Sequence, residues 1–445
     1  MAHRIATRSV GMMTLSQSNQ ESFHSSLEEA FRNVAGDPLL KKIRQKAWDH
    51  FLELGLPTPR NDVFRYVPLR KLFAHTYATA LTPALDKAKI ADFIAPECIH
   101  SVLVFVNGYY VPSLSDISGL PTKVVVTPLE QAIRSFGAFL TNQWGKTLME
   151  ETDPFATLNA AIHTDGIFVY IPPRLQVEKP IQILEIMDTE VPFMSMPRLH
   201  FFVGAQSELN VLSALGSLSG STYWVNQVAD FSIEEQAHVR YTQTSYPLPP
   251  ECWQMTSTRA YLKKNSTFLA VHATEGSTTA RHDYRVVLNG ENAHAELNGA
   301  WTLDEKREAH THVLVDHQSP NCQSLQLFKG ILNGSSHSSF EGKILVRQAA
   351  QKTNAFQLNN NIILSDTARA ESKPNLEIFA DDVKASHGAT VGQLDKEQLF
   401  YLKTRGCLPV DAKRLLVDGF AQEVYNKISI PSVRQHLAQR MQNYL

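Results

Sequence analysis

The sequence has few cysteines, and they do not form pairs. Its 445 residues include only four, Cys98, Cys252, Cys322 and Cys407, which stand far apart. Without a CxxC pair, the sequence does not support a zinc ribbon, a redox dithiol or a cluster cradle built from this chain alone. Sparse, unpaired cysteines are typical of a reducing compartment, so we expect a cytoplasmic protein.

Long apolar runs and an excess of either charge are also missing. Lys and Arg number 42 and Asp and Glu number 44, which gives a formal net charge of −2. No stretch approaches the about 18 uninterrupted apolar residues that a membrane helix needs. We therefore expect no membrane span and no general attraction to nucleic acid or to an anionic membrane.

Two sequence signals are absent as well. There is no GxxxxGK[ST] phosphate loop, so we do not expect the chain to hydrolyse nucleotide by itself. Residues 1–20 include Arg4 and Arg8 and no acid, but they lack the apolar core of a secretory signal. A ragged N-terminus is the favoured interpretation, and the remnant of an organelle-targeting segment is the alternative.

Residues 1–100 are predicted to form an N-terminal helical domain. Asp37 is an N-cap followed by Pro38 at the first helical position, and Gly55 ends the same helix. Between these residues, apolar side chains such as Leu40 and Phe51 recur at helical spacing. A second helical patch is expected near 85–94.

Residues 101–392 are predicted to form a β core with helical insertions near 128–163. Short β-branched or alternating runs follow one another, separated by turn dipeptides such as Asn289-Gly290. No helix pattern interrupts residues 167–385, which leaves a sandwich, a barrel, a propeller or a solenoid. The Asn359-Asn360-Asn361 run favours a solenoid, because its amides could bond neighbouring coils.

Residues 393–445 are predicted to form a C-terminal domain of three short amphipathic helices. Asp395 is the expected N-cap of the first, and Pro409 and Pro431 open the other two. Their apolar stripes include Leu416 and Phe420. Such helices need a cover, so they either pack on each other or bind a partner.

The clearest candidate ligand is His387, in the segment Ser386–Thr390. It leads into small residues, a backbone that could turn tightly and leave the imidazole exposed. A neutral imidazole binds iron or zinc, and its other ligands could come from another chain. The alternative is a histidine that satisfies backbone groups of a turn.

A second histidine group offers a weaker metal site. His310 and His312 are two residues apart, which places both on one face of a strand, and His317 follows. Two imidazoles on one face can hold zinc or iron. Since no carboxylate or cysteine stands at a fitting spacing, a solvated strand face is the alternative interpretation. Asp381-Asp382 has the form of a paired carboxylate for acid–base catalysis, but adjacent strand residues point to opposite faces and cannot share a substrate, so a turn or strand-end role is favoured.

Several segments resemble the SufB/SufD family of the SUF iron–sulfur cluster assembly system. The densest matches are Lys373–Ile378, Ala380–Gly392 and Leu399–Gly406, with Gly55-Leu56-Pro57 and Asp153-Pro154-Phe155 further upstream. In the SufB branch of the family a Glu usually follows the histidine that corresponds to His387. Gly388 stands there in this sequence, which is similar to the SufD branch.

The resemblance implies a mainly β fold, a right-handed parallel β-helix flanked by N-terminal and C-terminal α-helical domains. It implies a non-catalytic scaffold that pairs with SufB through the β-helix and docks the ATPase SufC on its C-terminal domain. His387 would be an iron or cluster ligand shared with SufB. The expected partner-binding residues are Leu399, Phe400, Tyr401, Arg405, Leu416 and Phe420.

The resemblance also shapes the expectations for cofactors. No cofactor is expected to bind stably to this chain alone; iron or a cluster would be held transiently in the complex, where a flavin is possible. Two residues depart from the family pattern: Ala385 replaces a common Cys, and Phe64 replaces a Trp. Without a thiolate at 385, His387 would need ligands from SufB.

Three alternatives remain at this level. One is a β-helix enzyme that acts on polysaccharide, although such enzymes usually carry a secretory signal. A second is an iron carrier that works without SufB. A third concerns assembly, since an isolated chain could form a homodimer through the edge meant for SufB.

Overall fold

The computed structural model describes residues 19–34, 36–79, 85–442 and 444. Arg4, Arg8 and nearly all of the segment in which no secretory signal is expected lie outside these residues. Among these residues, no α-helix combines the length and the hydrophobicity of a membrane-spanning segment.

Helices lie at both ends of the described chain and in one insertion. The α-helices are 19–33 (α1), Pro38–Leu54 (α2), Leu69–Leu72 (α3), Leu129–Ser135 (α4), Gly137–Glu150 (α5), Pro154–Ile162 (α6), Lys396–Thr404 (α7), Pro409–Tyr425 (α8) and Pro431–Gln442 (α9). Short 3-10 helices cover Asp62–Phe64, Lys87–Phe93 and Pro96–Cys98.

The structure contains the helix caps from which the helix boundaries were predicted. The carboxylate of Asp37 accepts a hydrogen bond from the backbone N of Leu39 at 2.9 Å, and Gly55 ends α2 with φ 68°. Asp395 caps α7 by accepting from the backbone N of Glu397 at 2.8 Å. These bonds satisfy helix-end donors that would otherwise have no partner.

Strands fill the centre of the chain. The first six are Val102–Val106 (β1), Tyr109–Tyr110 (β2), Val125–Pro128 (β3), Gly166–Ile171 (β4), Ile181–Met187 (β5) and Phe193–Ser195 (β6). The next seven are Arg198–Val203 (β7), Glu208–Ser217 (β8), Tyr223–Ile233 (β9), His238–Ser245 (β10), Cys252–Leu262 (β11), Thr267–Thr274 (β12) and Thr279–Leu288 (β13). The last seven are His294–Leu303 (β14), Glu308–His317 (β15), Gln323–Leu332 (β16), His337–Val346 (β17), Thr353–Ile363 (β18), Arg369–Ile378 (β19) and Val383–Gly392 (β20).

The strands stack into two parallel sheets that face each other. Sheet A contains the odd-numbered strands from β7 to β19, and sheet B contains the even-numbered strands from β8 to β20. Each coil of the chain therefore gives one strand to each sheet. This arrangement is a parallel β-solenoid with helices at both ends, which confirms the predicted fold class.

The asparagine run bonds neighbouring coils, as predicted. The amide of Asn359 donates to the backbone O of Phe328 in the preceding coil at 3.2 Å. The hydroxyl of Thr390 donates to the side chain of Asn360, 30 residues earlier, at 2.9 Å. Polar side chains thus join coils that the backbone ladders also connect.

Both sheets are covered on their outer faces over part of the solenoid. The N-terminal helices pack on sheet A through a cluster that includes Phe64, Phe155, Trp224 and Trp253. Helices α8 and α9 pack on sheet B through a second cluster, which includes Ala300, Ile331, Val417, Val424 and Leu437. A third cluster fills the interior between the sheets.

A buried ion network joins the N-terminal region to sheet A. The guanidinium of Arg281 lies 2.7 Å from Oδ2 of Asp153 and 3.1 Å from Oδ1 of Asp283. Arg259 bonds Oε2 of Glu151 at 2.6 Å and Oδ2 of Asp283 at 2.6 Å. Glu151 and Asp153 immediately precede α6, so the network ties the start of this helix to the solenoid.

The two ends of the solenoid differ. At the first end β2 pairs antiparallel with β1, and β3 pairs antiparallel with β4. At the other end β19 and β20 are the outermost strands, and no strand among the described residues pairs with their free edges. The first end therefore terminates in short antiparallel strands, whereas the other end, which we call the open end, presents the edges of two ten-residue strands.

The small residues after Ser386 suggested a backbone that could turn tightly, and the structure does not show such a turn. Residues Val383–Gly392 form β20, in register with β18. The small residues that suggested a turn are held extended by the ladder to the preceding coil. Helix α5 lies within the helical insertion expected near 128–163, whereas strands β9, β11 and β18 were not identified from the sequence.

Candidate functional site

His387 lies on the last strand of sheet B, in a row that faces the solenoid interior. Its register partner on β18 is Gln357, which is 2% exposed. His387 itself is exposed, because no further coil follows it among the described residues. The imidazole is thus available at the open end, as the ligand hypothesis requires.

The neighbours of His387 are small. Ala385 and Ala389 share its face of β20, and Gly388 follows it directly. This row carries no thiolate, so a metal at His387 would need its other ligands from a second chain. The absence of bulk leaves space for such a chain to approach.

The two free edges at the open end have different compositions. Strand β19 contains Pro374 and charged residues such as Arg369, Lys373 and Glu377, whereas the one charged residue of β20 is Lys384. Proline and charge are the usual features that protect an edge strand from pairing. The free edge of β20 is therefore the better template for another strand.

Exposed apolar side chains lie beside β20. Leu325, Phe356 and Leu358 form what we call the terminal apolar patch, on the outer face of sheet B. Phe356 and Leu358 are in register with Ser386 and Gly388 of β20. A partner that adds to β20 would also cover this patch.

The predicted partner-binding residues of α7 lie at the surface. None of the residues of α7 is buried, and Phe400 is 68% and Tyr401 55% exposed. The guanidinium of Arg405 lies 5.2 Å from the centre of the Tyr401 ring and donates to its hydroxyl at 3.2 Å. Leu399 is half-buried.

The two predicted residues of α8 differ from those of α7. Leu416 and Phe420 are half-buried, and Phe420 packs against the cluster between α8 and sheet B. The ammonium of Lys329 lies 4.2 Å from the centre of the Phe420 ring. Phe420 thus contributes to holding α8 on the solenoid, and α7 presents the more accessible surface.

The interpretation of His310 and His312 as a solvated strand face is wrong. His310 is 2% exposed, and its Nε2 lies 3.2 Å from Oε2 of Glu308, two residues earlier on the same face. His312 instead bonds Asp283 at 2.6 Å, and His317 is buried against Ser324. A carboxylate at fitting spacing is therefore present, contrary to the expectation.

A second imidazole completes this group from the next coil. Nδ1 of His337 lies 3.8 Å from the same Oε2 of Glu308, and its Nε2 bonds Glu371. Burial opposes the charge of His337, but hydrogen bonds to Glu308 and Glu371 outweigh it and raise the pKa of His337 to about 9. Burial likewise works against the Glu308 carboxylate, yet bonds to His310 and His337 lower its pKa to about 2.

The four cysteines are free and do not form a common site. Cys98, Cys252 and Cys322 are buried, and Cys407 is half-buried. Burial raises the pKa of Cys252 to about 11 and that of Cys98 to about 12. These two thiols are therefore poor nucleophiles and poor ligands at neutral pH.

Two family models match almost the whole chain. The SufBD core domain of the SUF iron–sulfur cluster assembly system matches residues 186–420, and the N-terminal region of SufBD proteins matches residues 16–183. The chain belongs to the SufBD family. The core match starts within β5 and ends in α8, so it includes the solenoid coils from β7 onward and His387.

Relatives of this SufBD protein are similar over most of their length. A SufBD family iron–sulfur cluster assembly protein of Synechocystis is 31% identical over 93% of this chain and 92% of its own. The iron–sulfur cluster assembly protein SufD of Escherichia coli is 26% identical over 89% of this chain and 91% of its own. The chloroplastic protein ABCI7 of Arabidopsis thaliana is 26% identical over 94% of this chain and 89% of its own. The protein is thus a SufBD family iron–sulfur cluster assembly protein and a homologue of SufD.

Sequence reasoning did not predict that Glu308, His337 and Glu371 lie together with His310 in this SufBD protein. Glu308 could have been found, because it stands two residues before His310 and shares its strand face. His337 and Glu371 come from the following coils, and their proximity depends on the register of the solenoid.

Proposed function

We propose that this protein is a SufD-type, non-catalytic scaffold that works with SufB and the ATPase SufC in the cytoplasm. In this proposal, β20 pairs with SufB, His387 is a ligand for iron or a nascent cluster at that junction, and the C-terminal helices dock SufC. The observation that carries the proposal is an exposed imidazole on an unprotected edge strand.

The edge of β20 supports pairing with a related solenoid. Parallel coils continue naturally into those of another chain, because the unpaired N–H and C=O groups of an edge strand can form the same ladder. The terminal apolar patch beside β20 would be buried at the same time. An isolated chain would use the same edge for a homodimer, which SufB would then replace.

The position of His387 supports a ligand shared between two chains. A single imidazole does not hold iron or a cluster by itself, and Ala385 adds no thiolate on this chain. At the junction, carboxylate or thiolate ligands of SufB would approach within bonding distance. Iron or the cluster is then transient cargo of the complex.

The C-terminal helices support docking of SufC. Phe400 and Tyr401 on α7, with Leu408, Val410 and Leu415 nearby, leave apolar side chains at the surface. Aromatic side chains of this kind are typical anchors of protein interfaces. Since α8 and α9 are packed on sheet B, a movement of docked SufC would be transmitted to the solenoid and to the SufB junction.

The test is the His387→Ala substitution in the complex purified with SufB and SufC. We expect the three subunits to co-purify as before and the recovered iron and sulfide to fall at least tenfold, because the ligand is lost while the edge remains. His238→Ala, on β10, is the matched control and should leave both measurements unchanged. Unchanged iron and sulfide with His387→Ala would remove the ligand role, and a chain that purifies without SufB and SufC would contradict the scaffold proposal.

A further inference from the structure

Four side chains meet on the outer face of sheet A, whereas His387 lies on sheet B. Glu308 and His310 alternate on β15, so they point to the same side of the sheet. His337 is the register partner of Glu308 on β17, and Glu371 on β19 is the partner of Ser339. Three neighbouring strands therefore hold the group, and its geometry does not depend on a loop.

The distances between the ligand atoms of this group are close to those around one shared metal ion. Nε2 of His310 and Nδ1 of His337 lie 3.2 and 3.8 Å from the same oxygen, Oε2 of Glu308. The ligand atoms of the three residues all lie within 4.8 Å of one another. Ligands bound at about 2.1 Å to one zinc ion stand roughly 3 to 4 Å apart, so only a small contraction is needed.

The outward-facing atoms of the three residues also have partners. The other nitrogen of His310, Nδ1, lies 2.8 Å from the hydroxyl of Ser339, and that of His337 bonds Glu371. The ammonium of Lys71 lies 3.1 Å from Oε1 of Glu308, which leaves Oε2 to face the imidazoles. Partners of this kind fix the ring orientation of metal-binding histidines.

We propose that Glu308, His310 and His337 bind a divalent first-row transition metal ion, Zn²⁺ or Fe²⁺. Two imidazoles and one carboxylate form a ligand set that suits both ions and leaves further coordination positions open. The site belongs to this chain alone, in contrast to the sequence-based expectation that the isolated chain holds no metal. It does not depend on His387 or on SufB.

An ion could reach this site from solvent. His337 and Glu371 are half-buried, and both line a surface cavity together with Tyr66 and Asp366. On the other side, a second cavity is lined by His310, Tyr66 and Ser339. Tyr66 lines both cavities, and the centre of its ring lies 6.1 Å from that of the His337 ring.

The test measures metal binding by the purified full-length chain after treatment with EDTA. Zn²⁺ is titrated in competition with a chromophoric chelator, and Fe²⁺ is titrated anaerobically in a separate experiment. Mg²⁺ and Ca²⁺, which prefer oxygen ligands, should not compete. We expect one equivalent of Zn²⁺ or Fe²⁺ per chain, with X-ray absorption showing nitrogen ligands at about 2.0 Å.

The variants assign the ion to this site. His337→Gln and His310→Gln should each weaken binding by more than 10-fold, and Glu371→Gln by roughly 10-fold as an outer partner. His238→Gln is the matched control, because His238 also bonds a neighbouring hydroxyl, that of Thr267, but lies in sheet B. His238→Gln should bind metal like the wild type, and so should His387→Ala.

The half-buried position of His337 makes His337→Gln the variant that is best able to fold, and circular dichroism and thermal melting check this. Equal affinity of wild type and folded His337→Gln would overturn the proposal. Loss of binding only in His387→Ala would overturn it as well, while leaving the role of His387 intact. Failure of His387→Ala to reduce cluster assembly would affect the proposed function and not this site.

Discussion

At the scale of single residues, His387 and Gln357 occupy equivalent positions in consecutive coils. Gln357 is enclosed, and its amide donates to Gln326 in the coil before it at 2.7 Å. His387 has no coil after it among the described residues, so the same position is exposed. A position that is structural inside the solenoid thus becomes available for binding at its end.

Glu185 is a buried carboxylate that the proposed function does not use. Its Oε1 accepts from the hydroxyl of Ser195 at 2.6 Å and the backbone N of Gly108 at 2.9 Å. Its Oε2 is buried without a hydrogen-bond partner among the described residues. Burial outweighs the two hydrogen bonds and raises the pKa of Glu185 to about 7.

This shift predicts a pH-dependent stability. The folded state holds the proton of Glu185 more tightly than the unfolded state, so the free energy of unfolding falls as pH rises from the ordinary value of 4.5 through about 7. At 1.36 kcal/mol per pKa unit the fall is about 3 kcal/mol. Glu185→Gln should remove this part of the dependence in urea unfolding at pH 5 and pH 8, whereas Glu208→Gln, at an exposed position, should retain it. Parallel pH profiles for wild type and Glu185→Gln would contradict the interpretation.

The structural role of a single residue was predictable from the sequence where all the residues that define that role lie in one short segment. Asp37 and Asp395 were identified as caps because the cap and its helix are adjacent in sequence. His310 was identified, but its environment was not, since His337 and Glu371 approach it only through the pairing of later coils. Short segments do not contain that information.

At the scale of secondary-structure elements, α7 differs from α8 and α9 in its packing. All three are amphipathic, but α8 and α9 contribute buried residues such as Val417 and Leu437 to the cluster on sheet B. None of the described residues of α7 is buried. Its apolar side chains therefore remain available for a partner.

This difference predicts the effect of a charge on α7. Phe400→Glu should weaken binding of SufC at least tenfold, because loss of an aromatic anchor typically costs 2 kcal/mol or more. The thermal midpoint should hardly change, since Phe400 is exposed. Analytical size-exclusion chromatography and a pull-down with SufC measure the effect.

The matched control places the same charge on another helix. Met149→Glu lies on α5, where Met149 is 86% exposed, and it should bind SufC like the wild type. Equal SufC binding by Phe400→Glu and wild type would contradict docking on α7.

Strands were predictable where one face is polar, and less so where both faces are buried. Strand β9 is buried along its whole length, and β11 is nearly so, because the N-terminal helices cover sheet A. Burial on both faces removes the alternation of polar and apolar residues that marks a strand. Strand β20 was missed for the opposite reason: it is an exposed edge of small residues with little apolar signal.

At the scale of the whole molecule, the buried ion network holds the N-terminal region on the solenoid. Arg281 is central to it, because it contacts Asp153 beside α6, Asp283 on β13 and the ring of Phe64 at 4.4 Å. Removal of the Arg281 guanidinium would leave the buried carboxylates of Asp153 and Asp283 with less positive charge to balance them. A buried charge that loses its partner is costly.

Arg281→Ala should therefore lower the free energy of unfolding by about 3 to 5 kcal/mol. Arg240→Ala, at an exposed strand position, is the control and should change it by less than about 0.5 kcal/mol. Chemical unfolding followed by tryptophan fluorescence measures both, because Trp224 and Trp253 lie at the same boundary. A loss below 1 kcal/mol for Arg281→Ala would show that the network is not needed to hold the N-terminal region.

The general architecture was predictable from the sequence, whereas the sheet that each terminal helical region covers was not. A long stretch of short strands without helices excluded α/β folds, and the asparagine run favoured stacked coils. Nothing local indicated that the two terminal helical regions cover opposite sheets. That arrangement depends on which outer faces are apolar, and those faces are assembled from strands about one coil apart.

The unequal ends of the solenoid limit how many copies can associate. A rod with two free ends can polymerise without limit, as in a fibril, whereas a rod with one free end can only form a closed pair. At the first end the outermost strands β2 and β3 are short and antiparallel to their neighbours, so they offer little edge for a further parallel coil. In the proposed assembly, pairing through β20 would therefore stop at two solenoids when the partner's other end is also formed by short antiparallel strands.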